Sequence, residues 1–146
     1  MRMRSQFRGR ACLAVLCAVV LVAQPACNKA VKRVPVTGAV TLDGKPLGAG
    51  VVTFAPDAEK GNTHRIVCIG RANAGKYDLS TAAMQNYDNG PGAPLGWYKV
   101  YLDTTVPGAE DLKIHPKFKD MNKTTIAIEV VESPAPGAYD IQFTSR

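Results

Sequence analysis

Apolar and polar residues alternate most regularly over residues 34–56, V-P-V-T-G-A-V-T-L-D-G-K-P-L-G-A-G-V-V-T-F-A-P. Val34, Val36, Val40 and Leu42 fall on one side of an extended chain, with Thr37, Ala39 and Thr41 on the other. That is the two-residue period of a half-buried strand. Asp43-Gly44 then interrupts the pattern with the residue pair that most cheaply takes two positive φ angles in succession, so a hairpin is expected there. A lone hairpin is marginal in water, and other strands must cover its apolar side.

The later pattern supplies them. Residues 57–63 read as a polar turn, residues 64–69 as a third strand and residues 76–80 as a fourth, after a Gly/Asn turn at 70–75. Residues 85–96 have loop composition, with Asn86, Asn89, Gly90, Pro91, Gly92, Pro94 and Gly96. The clearest strand is residues 96–103, with Tyr98, Val100 and Leu102 on one face and Trp97, Lys99, Tyr101 and Asp103 on the other. A long Pro/Gly/Lys connection follows, with a helical turn expected near 110–114. Residues 124–131 alternate around Ile126, Ile128 and Val130, and Tyr139, Ile141 and Phe143 close the chain on one face. About seven short strands and no amphipathic helix predict an all-β, antiparallel sandwich spanning residues 34–146.

The N-terminal segment has a different pattern. Arg2, Arg4, Arg8 and Arg10 precede an unbroken apolar run over residues 11–23, and Gln24-Pro25 ends it. A basic region followed by an apolar stretch of this length is the pattern of a secretory signal, and it falls short of the ~20 residues a spanning helix needs. Residues 1–26 are read as a signal peptide. The following Ala26-Cys27 resembles a bacterial lipoprotein box, in which the Cys is lipidated and becomes the first mature residue. The box prefers Leu where this chain has Gln24. Ordinary signal cleavage nearby and an uncleaved anchor are the other readings of the same stretch. Under the first, residues 27–33 form a short tether, and the domain is extracytoplasmic and held to a membrane, periplasmic or at the cell surface.

Export changes the charge argument. The full chain carries 18 basic and 12 acidic residues, a net +6; residues 1–26 hold four of the basic residues and none of the acids, which leaves +2. With no Lys/Arg stripe, nucleic acid is not an expected partner. Cysteines follow the same division. Cys12 and Cys17 leave with the signal and Cys27 is the lipidation candidate, so Cys68 remains, inside an apolar run where a small inert core residue is expected. A Cys27 to Cys68 disulfide is open only if Cys27 escapes lipidation.

Successive pieces of the domain are similar to one family. Val36-Thr37-Gly38-Ala39-Val40-Thr41-Leu42-Asp43-Gly44-Lys45-Pro46-Leu47, Val52-Thr53-Phe54-Ala55-Pro56 and Gly75-Lys76-Tyr77-Asp78-Leu79 appear in order, followed by residues 91–100 and His115-Pro116-Lys117-Phe118. Together they resemble the transthyretin-like, carboxypeptidase-regulatory-like lipoproteins of planctomycete bacteria. The chain departs from them at Ala72-Asn73-Ala74 and at Leu95-Gly96-Trp97. The resemblance implies a prealbumin-like, seven-stranded Greek-key sandwich with no established activity.

Catalytic patterns are sparse. Neither His64 nor His115 has a metal partner at ligand spacing, and the acids lack calcium-loop spacing. No catalytic residue, metal or cofactor is expected. The alternative activity, that of the transthyretin-related hydroxyisourate hydrolases, needs clustered His and Arg and a C-terminal Tyr-Arg-Gly-Ser, where this chain ends Tyr139-Asp140-Ile141-Gln142-Phe143-Thr144-Ser145-Arg146. Binding remains. Trp97, Lys99 and Tyr101, opposite the core stripe, form a candidate surface for an envelope protein or a glycan. The competing reading has Trp97 capping the end of the core under the 85–94 loop.

Overall fold

Asp43 and Gly44 take φ of 51° and 78°, the two positive values that the Asp-Gly pair predicts. They join β2 (Thr37–Leu42) to β3 (Lys45–Pro46) with Leu42 opposite Lys45. The computed structural model describes residues 31–82 and 89–146. The expected signal peptide (residues 1–26), residues 27–30 of the expected tether, with the lipidation candidate Cys27, and residues 83–88 lie outside the described residues.

The hairpin is shorter than its sequence pattern. Pro35 has no N–H to give a ladder, and the first run divides there: β1 (Arg33–Val34) pairs with β8 (Ala93–Pro94), and β2 begins two residues after Pro35. The second run divides at Gly48-Ala49-Gly50. Beyond it β4 (Val51–Pro56) joins a different sheet.

That sheet has five strands in the order β10-β9-β4-β5-β7, namely β10 (Ala127–Val130), β9 (Gly96–Asp103), β4, β5 (Cys68–Arg71) and β7 (Ser80–Thr81). All its pairings are antiparallel. The other main sheet is built on β2, flanked by β3, β6 (Lys76–Asp78) and β11 (Ile141–Phe143). Here the antiparallel expectation fails at one place, because β11 runs parallel to β2, with Ile141 opposite Val40 and Phe143 opposite Leu42.

Other boundaries move for local reasons. The third strand is β5, starting at Cys68 rather than 64. The chain before it is held by the Asn62 side chain, whose Oδ1 accepts from the His64 N–H while Nδ2 donates to the Trp97 carbonyl. The fourth strand is two strands. Tyr77 and Leu79 keep the expected burial period, but β6 pairs with β2 whereas β7 pairs with β5, and the chain crosses between sheets at Leu79. The strand expected over 124–131 is confined to β10. No helical turn forms at 110–114; a 3₁₀ turn, Pro116–Lys119, forms instead, started by Pro116 and capped by His115 Nδ1, which accepts from the Lys117 N–H at 3.2 Å. In place of about seven strands, eleven short ones occur among the described residues.

One apolar cluster draws on both main sheets. Val36, Val40, Tyr77, Ile141 and Phe143 belong to it with Val52, Phe54, Cys68, Tyr98, Val100 and Leu102. The Phe54 ring of β4 lies 6.1 Å from the Tyr77 ring of β6 and 5.9 Å from Tyr98 of β9. Tilted aromatic pairs at such distances add to the area they bury. The Tyr77 hydroxyl donates to the Tyr139 carbonyl at 2.6 Å and the Tyr98 hydroxyl to the Pro94 carbonyl at 2.9 Å, so neither buried phenol lacks a partner.

Candidate functional site

β9 is flanked on both sides, by β4 and by β10, so its outward residues sit within a face rather than at an edge. Trp97, Lys99, Tyr101 and Asp103 alternate with the fully buried Tyr98, Val100 and Leu102, as the sequence pattern predicts. Register then assembles the rest of the face, because directly paired residues project to the same side. Thr53 stands opposite Tyr101, Ala55 opposite Lys99, Glu129 opposite Trp97, and Ile69 opposite Thr53. Thr53 and Ala55, both small, are buried, while Ile69 is 36% exposed.

A turn from the same chain engages two of the three candidate residues. The Asp57 carboxylate accepts from the Glu59 N–H at 3.2 Å and starts the 3₁₀ turn Ala58–Lys60. That turn sets Lys60 Nζ 4.0 Å from the centre of the Trp97 ring, and Lys99 Nζ donates to Glu59 Oε2 at 2.9 Å. The Glu59 hydrogen bond holds the Lys99 ammonium above its ordinary pKa. Trp97 is half-buried under Lys60, between the fully displayed and the core-capping readings. A ligand stacking on the face that Lys60 covers has to displace the ammonium, at a cost of about 0.5–1 kcal/mol for an exposed cation–π contact. Tyr101, half-buried, carries no such cover from this turn.

The two histidines are not brought together. His115 lies near the C-terminal strand, its N–H donating to the Thr144 carbonyl, and its ring nitrogen caps a turn. His64 lies at the opposite end, bordering a shallow depression of about 420 Å³ with Ala55, Pro56, Ala58, Arg65 and Met121. Sequence reasoning missed this depression. Its lining comes from three separate stretches, and the one local signal was Met121, an apolar residue in a polar loop, which is 42% exposed. Among the described residues no three His, Cys, Asp or Glu side chains come together, and no helix is long and apolar enough to cross a membrane.

Cys68 is buried and unbridged on the inner face of β5, and burial pushes its thiol up to about 12. Burial raises the Tyr77 and Tyr98 phenols as well. A thiol held protonated is neither a ready nucleophile nor a ready ligand. The three shifts also set a pH dependence. In the unfolded chain these groups ionise near their ordinary values of 9.0 and 10.0, while in the fold they keep their protons. The folded state therefore binds more protons above pH ~9, and stability falls as pH rises. The denaturation midpoint is expected to hold steady from pH 7 to 8.5 and to drop progressively between pH 9 and 12. A midpoint unchanged at pH 11 would contradict the burial of these three groups.

Comparison of the chain with protein-family models, with curated proteins and with solved structures finds no match.

Proposed function

We propose that the protein is a non-enzymatic binding or structural module of the cell envelope, exported and tied to a membrane by a lipid on Cys27. The observation that carries this reading is the position of Cys27. It directly follows a basic and apolar leader ending in a small residue, and six positions later β1 begins at Arg33. Two acyl chains hold a protein on a bilayer stably where one does so only marginally, and the residual +2 charge contributes little.

For the fold we propose a Greek-key sandwich of the transthyretin-like kind. Its support is the shared core of the two main sheets and the Tyr98 hydroxyl, which returns to the carbonyl four residues upstream in the manner of the tyrosine corners of such sandwiches. The outer face of β9 is the proposed contact surface for an envelope protein or glycan, with Tyr101 and the Trp97–Lys60 pair as its aromatic elements.

Cell fractionation with mass analysis of the N-terminus tests the anchor. Wild type is expected in the membrane fraction after a high-salt wash and in the detergent phase on phase separation, with a diacyl or triacyl mass on Cys27. The Cys27→Ser variant is expected to lose that mass and to stay uncleaved or be released. An unmodified Cys27, or a terminus elsewhere, overturns the reading. Turnover of hydroxyisourate or peptide substrates by the purified protein would instead favour the hydrolase.

A further inference from the structure

The proposed anchor, taken with the topology, decides which end of the domain meets the lipid. This step rests on the lipidation of Cys27. From Cys27 to Arg33 there are six residues, and an extended chain spans at most ~3.3–3.6 Å per residue, so the leash is no longer than about 20 Å. A domain of this size is roughly 35 Å across. Such a leash cannot bring the far end of the domain to the bilayer.

The near end is fixed by strand register. β1 pairs with β8, which leads directly into Gly96, the first residue of β9, and Gly96 stands opposite Val130. β4 is antiparallel to β9 with Pro56 opposite Tyr98, so Pro56 and the Ala58–Lys60 turn lie at this end too. Asn62 belongs there as well, bonded to the Trp97 carbonyl. The far end carries the Asp43-Gly44 turn, the chain after Asp103 and the C-terminal Ser145, whose N–H donates to the Asp43 carboxylate at 3.0 Å.

We propose that the end bearing β1 is the lipid-facing surface of the anchored protein, with the depression of Ala55, Pro56, Ala58, His64, Arg65 and Met121 seated on anionic phospholipid headgroups. The charges suit that partner. Lys60, His64 and Arg65 are exposed here. Three of the nearby acids are engaged within the fold: Asp57 caps its own turn, Glu59 holds Lys99, and Glu132 holds Lys32. Glu129, exposed on β10 opposite Trp97, and Asp78, exposed on β6 opposite Thr37 at the start of β2, are nearby acids facing outward. Met121, exposed beside Arg65, supplies an apolar side chain that can enter the headgroup boundary as the arginine meets phosphate.

The test uses the full, processed protein reconstituted in phosphatidylethanolamine and phosphatidylglycerol vesicles that contain a headgroup-borne quencher. One fluorophore is attached at Thr63→Cys, at the near end, or at Lys45→Cys, in the far hairpin; buried Cys68 stays unlabelled. Quenching at position 63 is expected to exceed that at position 45 by at least threefold. It is expected to fall by half or more when Lys60→Glu and Arg65→Glu are combined, or when phosphatidylcholine replaces the anionic lipid. Equal or reversed quenching overturns the orientation, and quenching indifferent to both charge changes overturns the headgroup contact. Intact mass of the same sample separates the two levels. Acylated protein with equal quenching defeats the orientation alone, whereas a non-acylated Cys27 defeats the anchor and the orientation with it.

Discussion

The Phe54→Ala variant is expected to lose about 3–5 kcal/mol of stability, the range for removing a buried aromatic ring. Phe54 is fully buried, and its ring lies between Tyr77 of one main sheet and Tyr98 of the other. The loss is more than the missing area. Tyr77 and Tyr98 are held by hydrogen bonds from their hydroxyls to backbone carbonyls, so neither ring can swing freely into the vacancy, and the cavity term stays high. Domains of this size hold roughly 5–15 kcal/mol in all. A fall of at least ~10 °C in melting temperature is therefore expected, since each kcal/mol moves a small domain by several degrees. Ile69→Ala, on the half-open outer face, is the control, and its cost should stay under about 1 kcal/mol. If both variants melt alike, Phe54 does not join the two sheets.

Gly92→Ala is expected to be the most damaging of the single-methyl additions at turns. Gly92 has φ of 84°, and a Cβ there would lie 2.1 Å from the Val34 carbonyl oxygen and 2.7 Å from its carbon. Those atoms are backbone of β1, paired to β8, and the Gly92 N–H donates to the Leu79 carbonyl at 2.7 Å. Neither side of the clash can yield cheaply. Gly44 isolates the conformational part of this cost, because its φ of 78° is nearly the same and nothing lies within 4 Å of its Cβ position. Gly44→Ala should cost about 1 kcal/mol, the usual penalty for a side chain in the left-handed region. Gly92→Ala should cost that amount plus the displacement of a packed backbone, about 2–4 kcal/mol in total. Denaturant midpoints measured side by side decide it, and equal losses would mean that β1 does not press on Gly92.

What the sequence determined by itself was local in origin. The hairpin turn at Asp43-Gly44 followed from the dihedral demands of two adjacent residues. The buried stripe Tyr98, Val100, Leu102 and the outward row Trp97, Lys99, Tyr101 followed from a period of two that holds in any sheet. The burial of Cys68 followed from its apolar neighbours. The proposed export signal, too, is read from composition along one segment.

Partnership between segments was decided by the tertiary structure. Alternation records which face of a strand is covered but carries no information on which strand covers it, so the runs at 34–56 and 76–80 read as continuous although each divides between sheets. Pro35 hinted at the first break; at Leu79 the side-chain period passes through the crossing unchanged, and no residue marks it. The parallel pairing of β11 with β2 joins the two ends of the domain, a distance over which no local preference acts. The engagement of Trp97 by Lys60 and of Lys99 by Glu59 likewise required a turn to fold back over β9. Charge and aromaticity could be counted along the chain, but their juxtaposition depended on packing across some forty residues.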